Sequence, residues 1–408
     1  MRTFMNRRSF LLAQAAGLFA ANGKLPPTRP ITRGPKFHWF GYYDKLQFDP
    51  TSRYVLGMEV NFEHRSPTPQ DRIRIGMVDL HDGDRWIDLG SSGAWCWQQG
   101  CMLQWLPGSG SEVIYNDRDG ESLVSRILNV RTGKQRFLPG PIYCVSPDAT
   151  WALAPDFPRL AHQRPGYGYA FPDPYKDVAA PKESGIWRMN LVTGKRELIL
   201  TLAQVSKIPY KLGDWGEGSV HRFNHLLYSP GGKRFIFLHR RSGGTNKEAG
   251  ATRMFTANAD GNKLHVLDPF GNTSHFIWQR DTHVMAWARH PSHGDKFYLY
   301  EDLTDNVAVV APDVMVLNGH NTYLPGWRWI LNDTYPDKDR LQHPYLYDTA
   351  RGVRHPIAHF LSPKEYMGEW RCDTHPRSSP DGKLVCVDSP HAGGRQMHLI
   401  DIGDMIKV

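Results

Sequence analysis

The chain has 408 residues, of which 40% are hydrophobic and 22% charged, proportions that suit a globular protein with ample core material. After residue 25 no apolar run approaches the roughly 20 residues of a membrane-spanning helix, which argues against a helical span in the mature chain. The formal charge of +8 is not gathered into a Lys/Arg run interleaved with aromatics, so a nucleic-acid groove is not expected.

Residues 1–24 read as an export signal rather than as fold. Arg7 and Arg8 precede Ser9-Phe10-Leu11 and a short apolar stretch to Ala21, a twin-arginine pattern with Asn6 and Leu12 in place of its usual residues. This predicts a periplasmic or extracellular protein. Losing the stretch to Ala21, with Arg2, Arg7 and Arg8 and no acid, would lower the formal charge from +8 to +5, a mildly basic surface suited to anionic small molecules or glycans. Five cysteines without a CxxC pair leave at least one thiol unbridged within the chain, and only Cys96 and Cys101 are close enough in sequence to suggest a bridge.

From residue 35 onward the chain repeats. Seven strand–turn–strand units lie at 46–60, 103–117, 144–157, 226–239, 276–288, 322–333 and 378–388, each with a Pro or a turn cluster at its apex. Most are followed by a second hairpin with an Asn-x-x-Thr-Gly or Ala-Asp-Gly turn, as in SRILNVRTGKQRFL and MFTANADGNKLHVL. Short strands, seven units and almost no helical periodicity predict an all-β chain: one seven-bladed β-propeller over 35–408, four antiparallel strands per blade. A six- or eight-bladed ring is the rival count. The closing HLIDIGDMIKV is expected to supply outer-strand material to the last blade. Residues 156–185, rich in Pro, Gly and Tyr, form a long loop insertion whose aromatics and Arg164 suggest a lid over one face of the disc. A second insertion, 201–220, leads into the fourth blade.

Four histidines, His225, His275, His320 and His375, share one register of the repeat, each five residues before a turn apex. In a propeller the first strand of each blade lines the central channel, so equivalent positions form a ring near one mouth. The four lie on consecutive blades, whereas the first three blades carry Lys45, Met102 and Ile142 at that offset. The asymmetry points to a site. Several neutral imidazoles near one point bind a divalent metal such as Zn, Mn, Fe or Ni, Mn or Zn being more expected than Ca. Asp373 is in phase to contribute, and Cys372 is not. Arg222, Arg240 and Arg371 gather at the same mouth with His239, while Arg280 reads as a solvated turn residue. The FHWFGYYDK segment opens the first blade with His38, Tyr42, Tyr43 and Asp44.

The blade HLLYSPGGKRFIFLH at 225–239 and the stretch GEWRCDTHPRSSPDGKLVCVDSPHAGGRQMHLIDI at 368–402 resemble the oligogalacturonate lyases, and more loosely ulvan lyases and TolB-like propellers. The resemblance implies a metal-assisted lyase that cleaves uronic-acid glycans by β-elimination, with an anionic oligosaccharide or polysaccharide as partner. It implies His320 and His375 as metal ligands, with His275 or His225 completing the set. The family's glutamine and second histidine fall on Cys372 and Arg377, a departure from the family's ligand set. Its arginine base and supporting histidine fall nearest Arg222 and His239, with Tyr43 as another base candidate. Arg240, Arg371 and Arg164 would bind the substrate's carboxylates. Two other readings fit the residues: a propeller that grips a glycan or a protein without turnover, and a metal-dependent hydrolase that uses Asp44 or Asp373.

Overall fold

The Asn-x-x-Thr-Gly turns form because a short amide side chain captures the backbone ahead of it. Asn129 Oδ1 accepts from the amides of Arg131 at 3.1 Å and Thr132 at 3.0 Å, and Asn190 does the same for Val192 and Thr193. Gly133 and Gly194 follow with φ of 71° and 74°, a region that costs a residue with a Cβ. Hairpins closed this way assemble, in the computed structural model, which describes residues 24–407, into seven four-stranded antiparallel sheets. The expected seven-bladed propeller is therefore the fold. The export-signal reading of the N-terminus lies outside the described residues.

Blade one comprises Phe37–Trp39, Tyr54–Val60, Ile73–Asp79 and Arg85–Ser92. Blade four comprises Val220–Tyr228, Arg234–Ser242, Thr252–Asn258 and His265–Asp268. The ring closes differently from the expectation. Residues of HLIDI belong to the third strand of blade seven, Gln396–Asp401, and the outermost strand is Thr28–Pro30 from the other end of the chain. The propeller therefore begins before residue 35. An early segment paired with the last blade seals the ring, with Ile31 donating to Met397 O at 2.9 Å. The three-residue strand is too short to carry a period, which is why its pairing is invisible locally.

The 156–185 insertion is ordered and contains a helix, Phe157–Gln163, that was not anticipated. Asp156 caps it by accepting from the Arg159 amide at 3.2 Å, and Pro158 stands in the first turn. Seven residues are too few to show helical periodicity. The buried Arg159 guanidinium donates to the carbonyls of Tyr175, Val178, Ala179 and His221, tying the insertion to blade four. All five cysteines are buried and free, so Cys96 and Cys101 form no bridge. No helix among the described residues is long and apolar enough to cross a membrane.

Candidate active site and metal centre

The four histidines do converge, and a tyrosine ring stands among them. The Tyr43 ring centroid lies 5.6, 5.9, 5.4 and 6.4 Å from those of His225, His275, His320 and His375. Its hydroxyl donates to Phe276 O at 2.8 Å and accepts from Phe276 N at 3.0 Å. Burial, and then Tyr42 and Asp44, push its pKa far above the ordinary value. With its oxygen held twice by backbone, Tyr43 is a pillar of the channel and not the base proposed from sequence.

One register does not mean one direction. His225 and His375 have left-handed backbones, with φ of 53° and 40°, as does Met102 with φ of 58°, an uncommon state for a residue with a side chain. At His225 the blade-four pairing slips between Asn224 and Leu227, and Asn224 Oδ1 accepts from the His225 amide at 2.8 Å. A bulge of this kind re-aims the side chain. His225 stacks on Phe276 at 3.9 Å and meets Asp44 Oδ2 through Nε2 at 3.3 Å. Burial takes its pKa down to about 4, and Asp44, despite its own burial, is held at about 2 by Lys45 and His225. His225 is thereby removed from the metal set and Asp44 from the hydrolase reading. Lys45 binds Asp44 at 3.0 Å, while Met102 and Ile142 join the apolar core.

The ligand-like group is His320, Asp373 and His375, whose donor atoms all lie within 4.8 Å of one another. Nε2 of His320 and Nε2 of His375 are both buried without a hydrogen-bond partner. Asp333 accepts from the His320 amide at 2.7 Å and faces His320 Nδ1 at 3.0 Å, and Thr374 holds the carboxylate at 2.5 Å. That contact places the proton on Nδ1 and leaves the Nε2 lone pair facing inward, the usual support of a metal-bound imidazole. Burial, and then His320, keeps His375 neutral. Orphaned lone pairs, a neutral imidazole and a carboxylate fit a divalent metal of the Zn or Mn type. Replacing Asp333 with Asn should lower metal affinity about 10–100-fold, read by titration of the metal-free protein.

His275 lies 4.1 Å from His320 ring to ring but is already engaged. Its Nδ1 meets Asn318 Oδ1 at 3.1 Å and its Nε2 faces the Tyr335 hydroxyl at 3.4 Å. Cys372 is buried but outside the ligand-like group, and Arg377 is consumed by a buried pair with Asp388 at 2.9 Å, so neither position restores the ligands of the resembled family.

Beside the cluster opens a cavity of about 340 Å³, lined by Arg164, Arg222, Arg240, Arg371, Tyr42, Tyr167, Tyr335, Asn224, Ser274 and His275. All three proposed substrate-binding arginines reach it, together with Arg222. Arg371 pairs with Asp373 at 2.7 Å; among the described residues the other three arginines have no carboxylate partner. Burial, and then the charges of Arg240 and Arg164, bring Arg222 down to about 9. The insertion supplies Arg164 and Tyr167, so it does cover this mouth.

His239 is on the wrong face. Arg222 and Arg240 are cross-strand partners in blade four and share the side toward the cavity, which turns His239 and Phe223 to the other side. There Arg253 donates to His239 Nδ1 at 3.1 Å, and His239 Nε2 meets His221 Nδ1 at 2.9 Å. Adjacency to Arg240 in FLHRRS already carried this signal, because neighbours in a strand face opposite ways. Tyr335, Tyr167 and Asp333 were missed. For Asp333 a signal existed: Asp333 and Asp388 each stand thirteen residues after a histidine of the register, across one hairpin.

No protein-family model matches this chain, and no curated protein matches it. Solved structures do. An oligogalacturonate lyase in complex with manganese aligns with a TM-score of 0.64 at 14% identity, over 92% of this chain and 93% of that one. An oligogalacturonate lyase from Vibrio parahaemolyticus aligns with a TM-score of 0.67 at 12% identity, over 95% and 96%. The β-propeller domain of the trilobed protease from Pyrococcus furiosus gives 0.51 at 10% identity, over 89% and 96%. The chain is thus a seven-bladed propeller similar in structure to oligogalacturonate lyases. At such identities the likeness establishes fold alone.

Proposed function

We propose that this propeller is a metal-assisted lyase that cleaves an anionic uronic-acid oligosaccharide or polysaccharide by β-elimination. One observation carries the reading: a cavity lined by four arginines, three of them without a carboxylate partner among the described residues, adjoins a His–Asp–His cluster with two orphaned imidazole nitrogens. A site so rich in unneutralised cations selects a ligand that brings negative charge. The structural likeness to two oligogalacturonate lyases, one of them a manganese complex, supports the same class. Export through the Arg7-Arg8 signal to the periplasm or beyond would bring the protein to such glycans.

Elimination needs a neutralised carboxylate, a base at C5 and an acid at the departing O4. Arg240 and Arg164, which line the cavity, would bind the uronate carboxylate. Arg222 is the base candidate, because a guanidine held near 9 is neutral in a usable fraction of molecules. A bound Mn or Zn ion would add Lewis-acid polarisation of the carboxylate. Incubation with oligogalacturonate and other uronate oligomers should produce an unsaturated, ultraviolet-absorbing end that chelator suppresses and added Mn or Zn restores. Saturable binding of the oligomers without any absorbing product would replace this reading with that of a glycan-binding propeller.

A further inference from the structure

The lyase reading leaves one role unfilled, the acid that protonates the leaving oxygen. The direction of each tyrosine's hydrogen bond fills it. Tyr43 donates its proton to Phe276 O. His275 Nδ1 donates to Asn318, so its Nε2 accepts, and the Tyr335 proton is directed there at 3.4 Å. Likewise His225 Nε2 faces the Asp44 carboxylate, which leaves Nδ1 to accept from Tyr42 at 3.5 Å. Tyr43 of the channel, and Tyr42 and Tyr335 of the cavity wall, therefore direct their protons into the protein.

Tyr167 is the opposite case. Its oxygen accepts from Arg371 Nη2 at 2.6 Å, and arginine has no lone pair with which to take the phenolic proton in return. Among the described residues no acceptor holds that proton, and the ring lines the cavity from the insertion. A phenol gripped through its oxygen by a guanidinium is arranged to give its proton to a ligand, because the charge left behind falls on an atom that already receives a charge-assisted bond.

We propose that Tyr167, carried by the 156–185 insertion, is the catalytic acid of the elimination; the assignment rests on the lyase reading above. In the step, neutral Arg222 takes the C5 proton, the electrons of that C–H bond form C4=C5, and the C4–O4 bond breaks with its pair going to O4. The Tyr167 proton passes to O4 and releases an alcohol. The enzyme is left with a Tyr167 phenolate beside Arg371 and a protonated Arg222, and proton exchange with solvent restores both.

The test compares oligogalacturonate, whose leaving group is an alkoxide, with a uronate carrying 4-nitrophenyl at O4, whose leaving group departs without a proton. Tyr167→Phe should lower kcat on oligogalacturonate about 10²–10⁴-fold, with KM and bound metal nearly unchanged. On the nitrophenyl probe it should stay within a few-fold of the wild type. Equal loss on both probes, or loss of metal, would overturn the assignment and make Tyr167 a positioning residue for Arg371. A wild-type protein that forms unsaturated product from neither probe would instead defeat the lyase reading, and the acid with it.

Discussion

Replacing Arg222 with Gln should lower kcat/KM on a uronate oligomer by about 10²–10⁴-fold, the usual contribution of a positioned general base. The side chain is buried in blade four, donates through Nη1 to Ser242 at 2.7 Å and leaves its Nε without a partner. Burial comes first in lowering it, and Arg240 and Arg164 add like charge, so that the guanidinium loses its proton near 9. The sign follows directly. A base must be neutral, so wild-type kcat/KM should climb about tenfold per pH unit as the pH rises toward 9. The measurement is a pH profile of product formation for wild type and variant. A rising limb that persists unchanged in Arg222→Gln would show that another group abstracts the proton.

The second large effect concerns stability. Removing Asp388 alone should destabilise the propeller by about 3–5 kcal/mol, because it strands a buried guanidinium. Arg377 Nη2 meets Asp388 Oδ1 at 2.9 Å, its Nε donates to Gln47 at 2.8 Å, and its Nη1 donates to Gly41 O at 3.1 Å. The same carboxylate accepts from the Gly41 amide at 3.0 Å and the Phe40 amide at 3.2 Å. These bonds join blade seven to blade one across the seam of the ring. In chemical denaturation Asp388→Ala should therefore lose far more than the double variant Arg377→Met/Asp388→Leu, which leaves no unpaired charge behind. A double variant as weak as the single one would show that the backbone contacts, and not the charge pair, hold the seam.

Much of the architecture was legible before any coordinates. Turn residues recur at a blade's spacing and strands alternate between them, so the count of seven follows from local chemistry. The proposed substrate arginines also reached the cavity together. Two expectations fail for different physical reasons. His239 was grouped with Arg240 because sequence neighbours were read as spatial neighbours, although a strand sends them to opposite faces. The outer strand of blade seven was sought near the end of the chain, whereas Thr28–Pro30 supplies it through a contact more than 350 residues long in sequence.

The histidine register shows the division most plainly. Local pattern alone placed four imidazoles on four consecutive blades at one mouth, and that placement held. It could not say which way each would face, because left-handed residues at His225 and His375 and a bulge in blade four break the alternation on which the argument depended. Packing decided the rest. Tyr43 fills the centre, Asp44 draws His225 aside, Tyr335 and Asn318 engage His275, and Asp333 turns His320 toward Asp373 and His375. Asp44, Asn318 and Tyr335 reach these histidines from other blades or distant turns, so only the closed ring brings them into contact, whereas Asp333 meets His320 across a single hairpin.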